Sequence, residues 1–359
     1  MVVDIDGAVE RLSFTARGAE LAGSTDAGLA ALLLLAMRVG GPLVAHGPAS
    51  PRLVASLPKI QDILRNWEQR SPSYATYHAV TVDAPNRDES RTQRPRRVGA
   101  FFTGGVDSFY TLARHRDEID TLVYVHGFDV RLDDERLDEL VTSRLRAAAL
   151  ALNKPLVEVR TDLRSVSDRY SNWLDYHGSA LASVALLLAT EFERMYVPAT
   201  LTYAHLIPLG SHPLLDPLWS TEGVELIHDG CEASRLDKLS LLADDMVAQA
   251  HLRVCWENRK GRYNCGSCEK CLRTMVALRA LGVLNSFETL PDLIDPSDIA
   301  RVELPAVSYT WEASFELLKK TKSDPTLARV LERRLYNPRV RLVRAGVRNA
   351  RRLREFLRN

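Results

Sequence analysis

The chain has 359 residues, of which 46% are hydrophobic and 26% charged, and its formal net charge is +1. That mixture points to a folded protein of two or three parts and excludes a disordered one. The near-zero charge balance also excludes attraction to nucleic acid or membrane over the whole surface, so such a role would fall to a local patch.

In chain order, the opening MVVDIDGAVERLSF reads as strand-like. It lacks the basic start and continuous apolar run of a secretory signal, so a cytoplasmic protein is expected. Residues 28–37 (GLAALLLLAM) are fewer than the roughly 18 that a membrane span needs and read as a buried helix. A second helix is expected over 50–67, where Leu53, Leu57, Ile60, Ile63 and Leu64 recur at helical spacing. The polar, proline-containing stretch 83–97 then reads as a linker closing an N-terminal accessory domain, residues 1–95.

From residue 98 the pattern changes to short apolar strands, VGAFFTG, TLVYVHGF, PLVEVRT and RMYVPAT. Helices are expected between them from about residue 107, over 134–152 and near 179–194. This alternation implies βαβ units and an α/β fold with a doubly wound parallel sheet, its ligand site at the strand C-termini. On this reading residues 96–250 form the sheet domain, with functional loops after Phe102, Val125 and Ala199.

The first of these loops holds Thr103, Gly104, Gly105, Val106, Asp107 and Ser108 at a strand-to-helix junction. Paired glycines let backbone amides approach phosphate oxygens, and the helix N-terminus adds its positive dipole end. Thr103 and Ser108 can donate hydroxyls to the same phosphates, and Asp107 is placed to hold Mg²⁺. The plainer reading is a glycine turn in which Ser and Asp only cap the helix. The loop is neither a Walker A sequence nor a Gly-x-Gly-x-x-Gly fingerprint.

TGGVDS resembles the SGGxDS signature of the PP-loop ATP-pyrophosphatase family, with Thr in place of the first Ser. The resemblance implies an adenine-nucleotide alpha-hydrolase-like fold in which these six residues bind the pyrophosphate half of ATP. It also makes Lys238, in RLDKLSLL, similar to a lysine that faces the ATP phosphates in several relatives; the plainer reading is a solvated lysine. Strand-end geometry would place His126 near the adenine or ribose, or leave it a helix-flanking residue.

All five cysteines lie after residue 230, and Cys255, Cys265, Cys268 and Cys271 form C-x9-C-x2-C-x2-C within residues 251–285. In a reducing compartment such crowding favours metal over disulfides. Four thiolates on a tight turn eased by Gly266 suit tetrahedral Zn²⁺ with no open position, hence a structural zinc. An iron–sulfur cluster and a redox dithiol are the competing readings. A CGxCxxC run after a TGGxDS domain also resembles the 7-cyano-7-deazaguanine synthase branch of the family, over roughly residues 97–285. That branch adenylates a carboxylate with ATP and lets ammonia displace AMP, which implies a C–N bond-forming ligase acting on a small molecule. The segment 201–228, expected to line the pocket, lacks the stretch associated with deazaguanine recognition, so the acceptor is unassigned.

Within that segment His205, His212, Asp216 and Trp219 are candidates for reading a substrate, against surface or core packing for each. Cys231, outside the cluster, reads first as a small buried apolar residue and second as a sulfur-relay nucleophile. An ATP-dependent sulfur transferase is thus the alternative enzyme, and a non-catalytic nucleotide- or RNA-binding protein the alternative class. Residues 286–359 read as a helical extension. Its last 29 residues carry ten Arg against two Glu, a basic helix suited to RNA, anionic lipid or an acidic partner, or simply solvated. The sequence leaves the oligomeric state open, a homodimer included.

Overall fold

The computed structural model describes residues 1–5, 7–68, 76–87, 97–304 and 309–336. Their contacts divide the chain into two units. The first holds Met1–Thr103 with Asp107–Glu232, and the second Gly104–Val106 with the chain from Ala233 onward.

In the first unit, β1 (Val2–Ile5) and β2 (Ala8–Arg11) form an antiparallel hairpin, followed by β3 (Phe14–Arg17). Helix α1 (Thr25–Val39) starts at Ser24, whose side chain accepts from the Ala27 N–H (3.2 Å), and stops at Gly40. Short strands β4 (Leu43–Val44) and β5 (Val82–Asp83) pair in parallel on either side of α2 (Pro51–Glu68). The alternating region follows as β6 (Val98–Phe101), α3 (Val106–Arg114), β7 (Thr121–His126), α4 (Glu135–Ala151) and β8 (Leu156–Thr161). After it come α5 (Leu163–Ser167), α6 (Trp173–Leu187), β9 (Arg194–Pro198) and β10 (Glu225–Asp229).

Six strands make the central sheet in the order β10-β9-β6-β7-β8-β3, parallel except for β3, which runs antiparallel to β8. All six residues of β7 are buried, as a strand covered on both faces requires. Val123 and Val125 face the layer built by α1, α2 and α6. His126, on the opposite pleat, meets Asp138 of α4. The chain winds outward from β6 through β7 to β8, then returns to add β9 on the other side of β6. The direction of winding therefore reverses between β6 and β9.

The second unit is helical, with α7 (Arg235–Leu241), α8 (Met246–His251), α9 (Glu269–Leu281), α10 (Pro296–Arg301), α11 (Tyr309–Thr321) and α12 (Pro325–Tyr336). Leu272, Val276 and Ala280 lie at i, i+4, i+8 on α9 and share a core with Ile299, Trp311, Phe315, Leu318, Leu327, Leu331 and Leu335.

Several sequence expectations change here. Residues 1–95 are not a separate accessory domain, because β3 is the sixth strand of the sheet and α1 packs its leucines into the same core as α6. The cysteine segment and the helical extension are not separate either, because α9 is common to both. Part of the stretch assigned to pocket lining is β10, an edge strand. Helix α6 begins at Trp173 rather than near 179, capped by the Asn172 side chain accepting from Asp175 N–H (3.0 Å). Most of the linker, residues 88–96, and most of the arginine-rich tail, residues 337–359, lie outside the described residues. None of the described helices is long and apolar enough to cross a membrane.

Leu33 of α1 is fully buried in the shared core. Leu33→Ala is expected to destabilise the whole first unit by about 2–5 kcal/mol. Calorimetry should show the sheet melting earlier with it; a separate early transition that spares the sheet would restore an independent N-terminal domain.

Candidate active site and metal centre

β6 ends at Phe101, and α3 begins five residues later. The turn between them is fixed at two points. Phe102 N–H donates to Val123 C=O (2.8 Å), and Gly104 C=O accepts from Arg253 N–H (2.7 Å). Gly104 has φ +70°, a left-handed conformation that strains a residue with a side chain. Asp107 and Ser108 occupy the first turn of α3, where backbone N–H groups and the positive dipole end are presented. Gly104, Val106 and Ser108 are buried; Thr103, Gly105 and Asp107 are half-buried.

Helix α3 is aimed by acids from the far edge of the sheet. Asp229, ending β10, accepts from Thr111 Oγ1 (2.7 Å) and meets His115 Nε2 (2.9 Å). Glu232 accepts from the Tyr110 hydroxyl (2.7 Å) and pairs with Arg114 (3.1 Å). The sequence reading singled out none of these six. Their signal was two i,i+4 pairs, Tyr110/Arg114 and Thr111/His115, with two acids after the last strand.

Lys238 lies on α7, which is opened by Ser234 and Asp237 in a reciprocal capping box. It is only 1% exposed, so it is not the solvated lysine of the plainer reading. Lysine is almost never buried without compensation.

His126 is committed elsewhere. Its Nδ1 lies 2.8 Å from Asp138 Oδ1 and its Nε2 3.3 Å from Glu158 Oε2. Burial pushes both carboxyls up, but His126 and Arg160 hold Asp138 below the usual range, while Arg146 and His126 do the same to Glu158. The cluster lines a groove of about 580 Å³ on the α4 face of the sheet.

Of the substrate-reading candidates, His205 is half-buried with Nδ1 at 2.8 Å from Thr202 Oγ1. His212, Asp216 and Trp219 are buried, Trp219 within the main core. His212 packs edge-on against Trp67 (4.9 Å). Asp216 holds His228 Nδ1 at 2.7 Å, a partnership the sequence spacing did not announce. Burial and the neighbouring His228 push His212 down to about 4, Asp216 opposing. Burial would also lower His228, but hydrogen bonds to Asp216 and Cys231 outweigh it and raise it to about 9.

In the second unit the Sγ atoms of Cys255, Cys265, Cys268 and Cys271 all lie within 4.8 Å of one another, and all four residues are buried. The pairs Cys255–Cys268 and Cys265–Cys271 are each 3.9 Å apart. A tetrahedral thiolate site with Zn–S near 2.3 Å puts its sulfurs about 3.8 Å apart, so the donors fit such an ion. All are free thiols. Asn264 Oδ1 accepts from the N–H groups of Val254 (2.9 Å) and Cys255 (3.1 Å), fixing the first ligand. Cys268 and Cys271 donate backbone N–H groups to Cys265 Sγ (3.2 Å) and Cys268 Sγ (3.4 Å), and Cys268 caps α9. Hydrogen bonds from Cys268 and Cys271 hold the Cys255 thiol far below its ordinary value, whereas bonding to Cys255 pushes Cys268 up to about 12 and Cys271 higher still. A thiolate at Cys255 thus strengthens the hold of its neighbours on their protons, which a dication would displace. The four cysteines could hold a metal ion such as zinc.

Comparison with known proteins gives no match to a family model, a curated protein or a solved structure.

Two outcomes are expected. Elemental analysis should find one metal per chain, and Cys268→Ser should lose it together with the cooperative melting of the second unit. The two histidines should also give the stability of the first unit opposing pH slopes. His212, lowered from about 6.5 to about 4, contributes stability that is lost as pH falls through that window. His228, raised to about 9, contributes stability that is lost as pH rises from about 6.5 through 9. In denaturant titrations against pH, His228→Gln should flatten the alkaline slope and also lessen the acidic one, because part of the lowering of His212 comes from His228.

Proposed function

We propose that the chain is an ATP-dependent ligase of the PP-loop ATP-pyrophosphatase type, a divergent relative of the 7-cyano-7-deazaguanine synthases. It would adenylate a small-molecule carboxylate or amide, release pyrophosphate, and let a nitrogen nucleophile such as ammonia displace AMP. One observation carries the reading: TGGVDS forms the turn after the parallel strand β6, beside the reversal of winding, and opens a helix. In open α/β sheets ligands bind in the crevice at that reversal, beyond the strand C-termini. The doubly wound fold is part of the same reading.

The chain's own residues divide the work. Backbone N–H groups from Gly104 to Asp107, with the Thr103 and Ser108 hydroxyls, bind the β- and γ-phosphates at the dipole end of α3. Asp107 holds Mg²⁺, which supplies charge neutralisation at the phosphates when bound. Lys238 offsets the negative charge that builds on the departing pyrophosphate. No nucleotide contact is assigned to His126, whose ring nitrogens are both taken. The cysteines hold a structural zinc, since four thiolates leave no open position. The redox setting that keeps those thiols reduced is the cytosol.

The test is pyrophosphate release from ATP and Mg²⁺ by the full chain with pooled small metabolites. Wild type should release pyrophosphate, and Asp107→Ala should lower the rate at least about a hundredfold, the scale of losing one charge-stabilising group. Release that is unchanged in Asp107→Ala would overturn the assignment. ATP binding without release from any pool would make the chain a non-catalytic nucleotide binder.

A further inference from the structure

The second unit carries a groove of about 720 Å³ beside the cysteines. One wall is the cysteine segment, from Trp256 and Glu257 to Glu269 at the start of α9; the other is the end of α10 with Val302 and Glu303. Four carboxylates line it, Glu257, Glu269, Asp298 and Glu303, against two guanidinium groups, Arg259 and Arg301. Arg259 pairs with Glu257, and Arg301 with Asp298 (2.9 Å). Glu269 accepts from Trp311 Nε1 (2.7 Å) and lies 3.5 Å from Arg273. Glu303 is exposed and enters no ion pair among the described residues. The lining therefore keeps negative charge in excess.

Trp256 lies among these acids with 62% of its surface exposed. Leaving an indole in water forfeits the free energy its burial would supply, and indole is the best cation–π acceptor among side chains. An open indole beside carboxylates suits a flat cation, because a guanidinium stacks on the ring face and donates its N–H groups to the acids. The chain itself holds such a ligand. Residues 337–359, outside the described residues, contain eight Arg against one Glu and no Lys. The groove lies where they start: α12 ends at Tyr336, and in its last turn Arg334 Nη2 donates to the carbonyl of Val302 in the groove wall (2.5 Å). Extended chain spans up to about 3.5 Å per residue, so Arg339, five residues past Arg334, is within about 18 Å of it. Tethering at that range gives an effective concentration of order millimolar, at which contacts too weak to hold a free peptide suffice.

We propose that this acidic groove is the docking site of the chain's own arginine-rich tail, residues 337–359, with a tail guanidinium on the Trp256 ring and Glu303 as the main counter-charge. Docking withholds the tail arginines from RNA, anionic lipid and acidic proteins, which have to compete with the groove for them. Because the attraction is between exposed charges, it weakens as salt rises. Neither ATP nor adenylation is involved in the docking.

Two measurements on the metal-loaded full chain test this. In the first, trypsin cleavage after the tail arginines is timed by mass spectrometry at about 50 mM and about 500 mM salt. At low salt wild type should be cut at least about fivefold more slowly than Glu303→Lys, and high salt, with a Debye length of about 4 Å, should remove the difference. In the second, acrylamide quenching of Trp256 emission is taken as the difference from Trp256→Phe. It should rise at least about twofold in a full-length variant carrying Gln in place of all eight tail arginines, since no guanidinium then covers the ring. If Glu303→Lys fails to fold, the quenching comparison decides alone. Equal tail cleavage in wild type and a folded Glu303→Lys at low salt overturns the proposal, as does Trp256 that is quenched equally with and without the tail arginines. Tail protection that grows with protein concentration overturns it too, by placing a second copy's tail in the groove.

Discussion

Strand β6 must release the chain between two parallel neighbours and start a helix within five residues, and the rest of the first unit is arranged around that exit. A turn so short leaves Gly104 at φ +70°, where a side chain is strained. The requirement explains the apolar FF before the turn, which secures the strand, and the Tyr110–His115 face after it, which secures the helix. Asp229 and Glu232 reach α3 from the end of β10, so the far edge of the sheet sets the direction of the helix dipole. A pre-aimed helix end needs no reorganisation when an anion arrives, which is what makes such dipoles effective.

Buried charge recurs through the molecule, and in each case geometry decides whether it is tolerable. The His126–Asp138–Glu158 cluster is saturated by Arg146 and Arg160, so it reads as a fixed strut between α4 and β8. The Asp216–His228 pair is instead fixed by neutral donors, the Ser211 hydroxyl and the His212 N–H, on the Asp216 carboxylate. In the second unit the four thiols pack where apolar side chains would serve better unless an ion joins them. That unit's core is modest, and metal-binding free energy acts directly as folding free energy in such modules. Cys268 and Cys271 sit at the start of α9, and Leu272, Val276 and Ala280 further along it build the helical core, so metal and core stabilise one helix.

Local patterns in the sequence were legible, and pairings across it were not. The apolar run at residues 28–37 and the strand–helix alternation after residue 98 fell close to the observed elements, because continuous apolar stretches and amphipathic faces are encoded within a few neighbours. The closeness of the four cysteines followed from their spacing. The partnership of β3 with β8 did not, since Phe14 and Thr161 lie about 150 residues apart in the chain and nothing local links them. Missing it turned residues 1–95 into a domain they do not form. For the same reason Asp216 was weighed as a substrate reader without its partner His228, and His126 was placed near a nucleotide before its two carboxylates were known.

The most direct test of the central claim, that the Thr103–Ser108 turn binds a triphosphate, is hydrogen exchange of the full chain with Mg²⁺ and the non-cleavable α,β-methylene analogue of ATP. Backbone amides in the peptide spanning residues 103–110 should exchange at least about tenfold more slowly with the analogue bound, and Gly104→Val should abolish the effect. Protection confined to other segments, with 103–110 exchanging as in the free chain, would contradict the account.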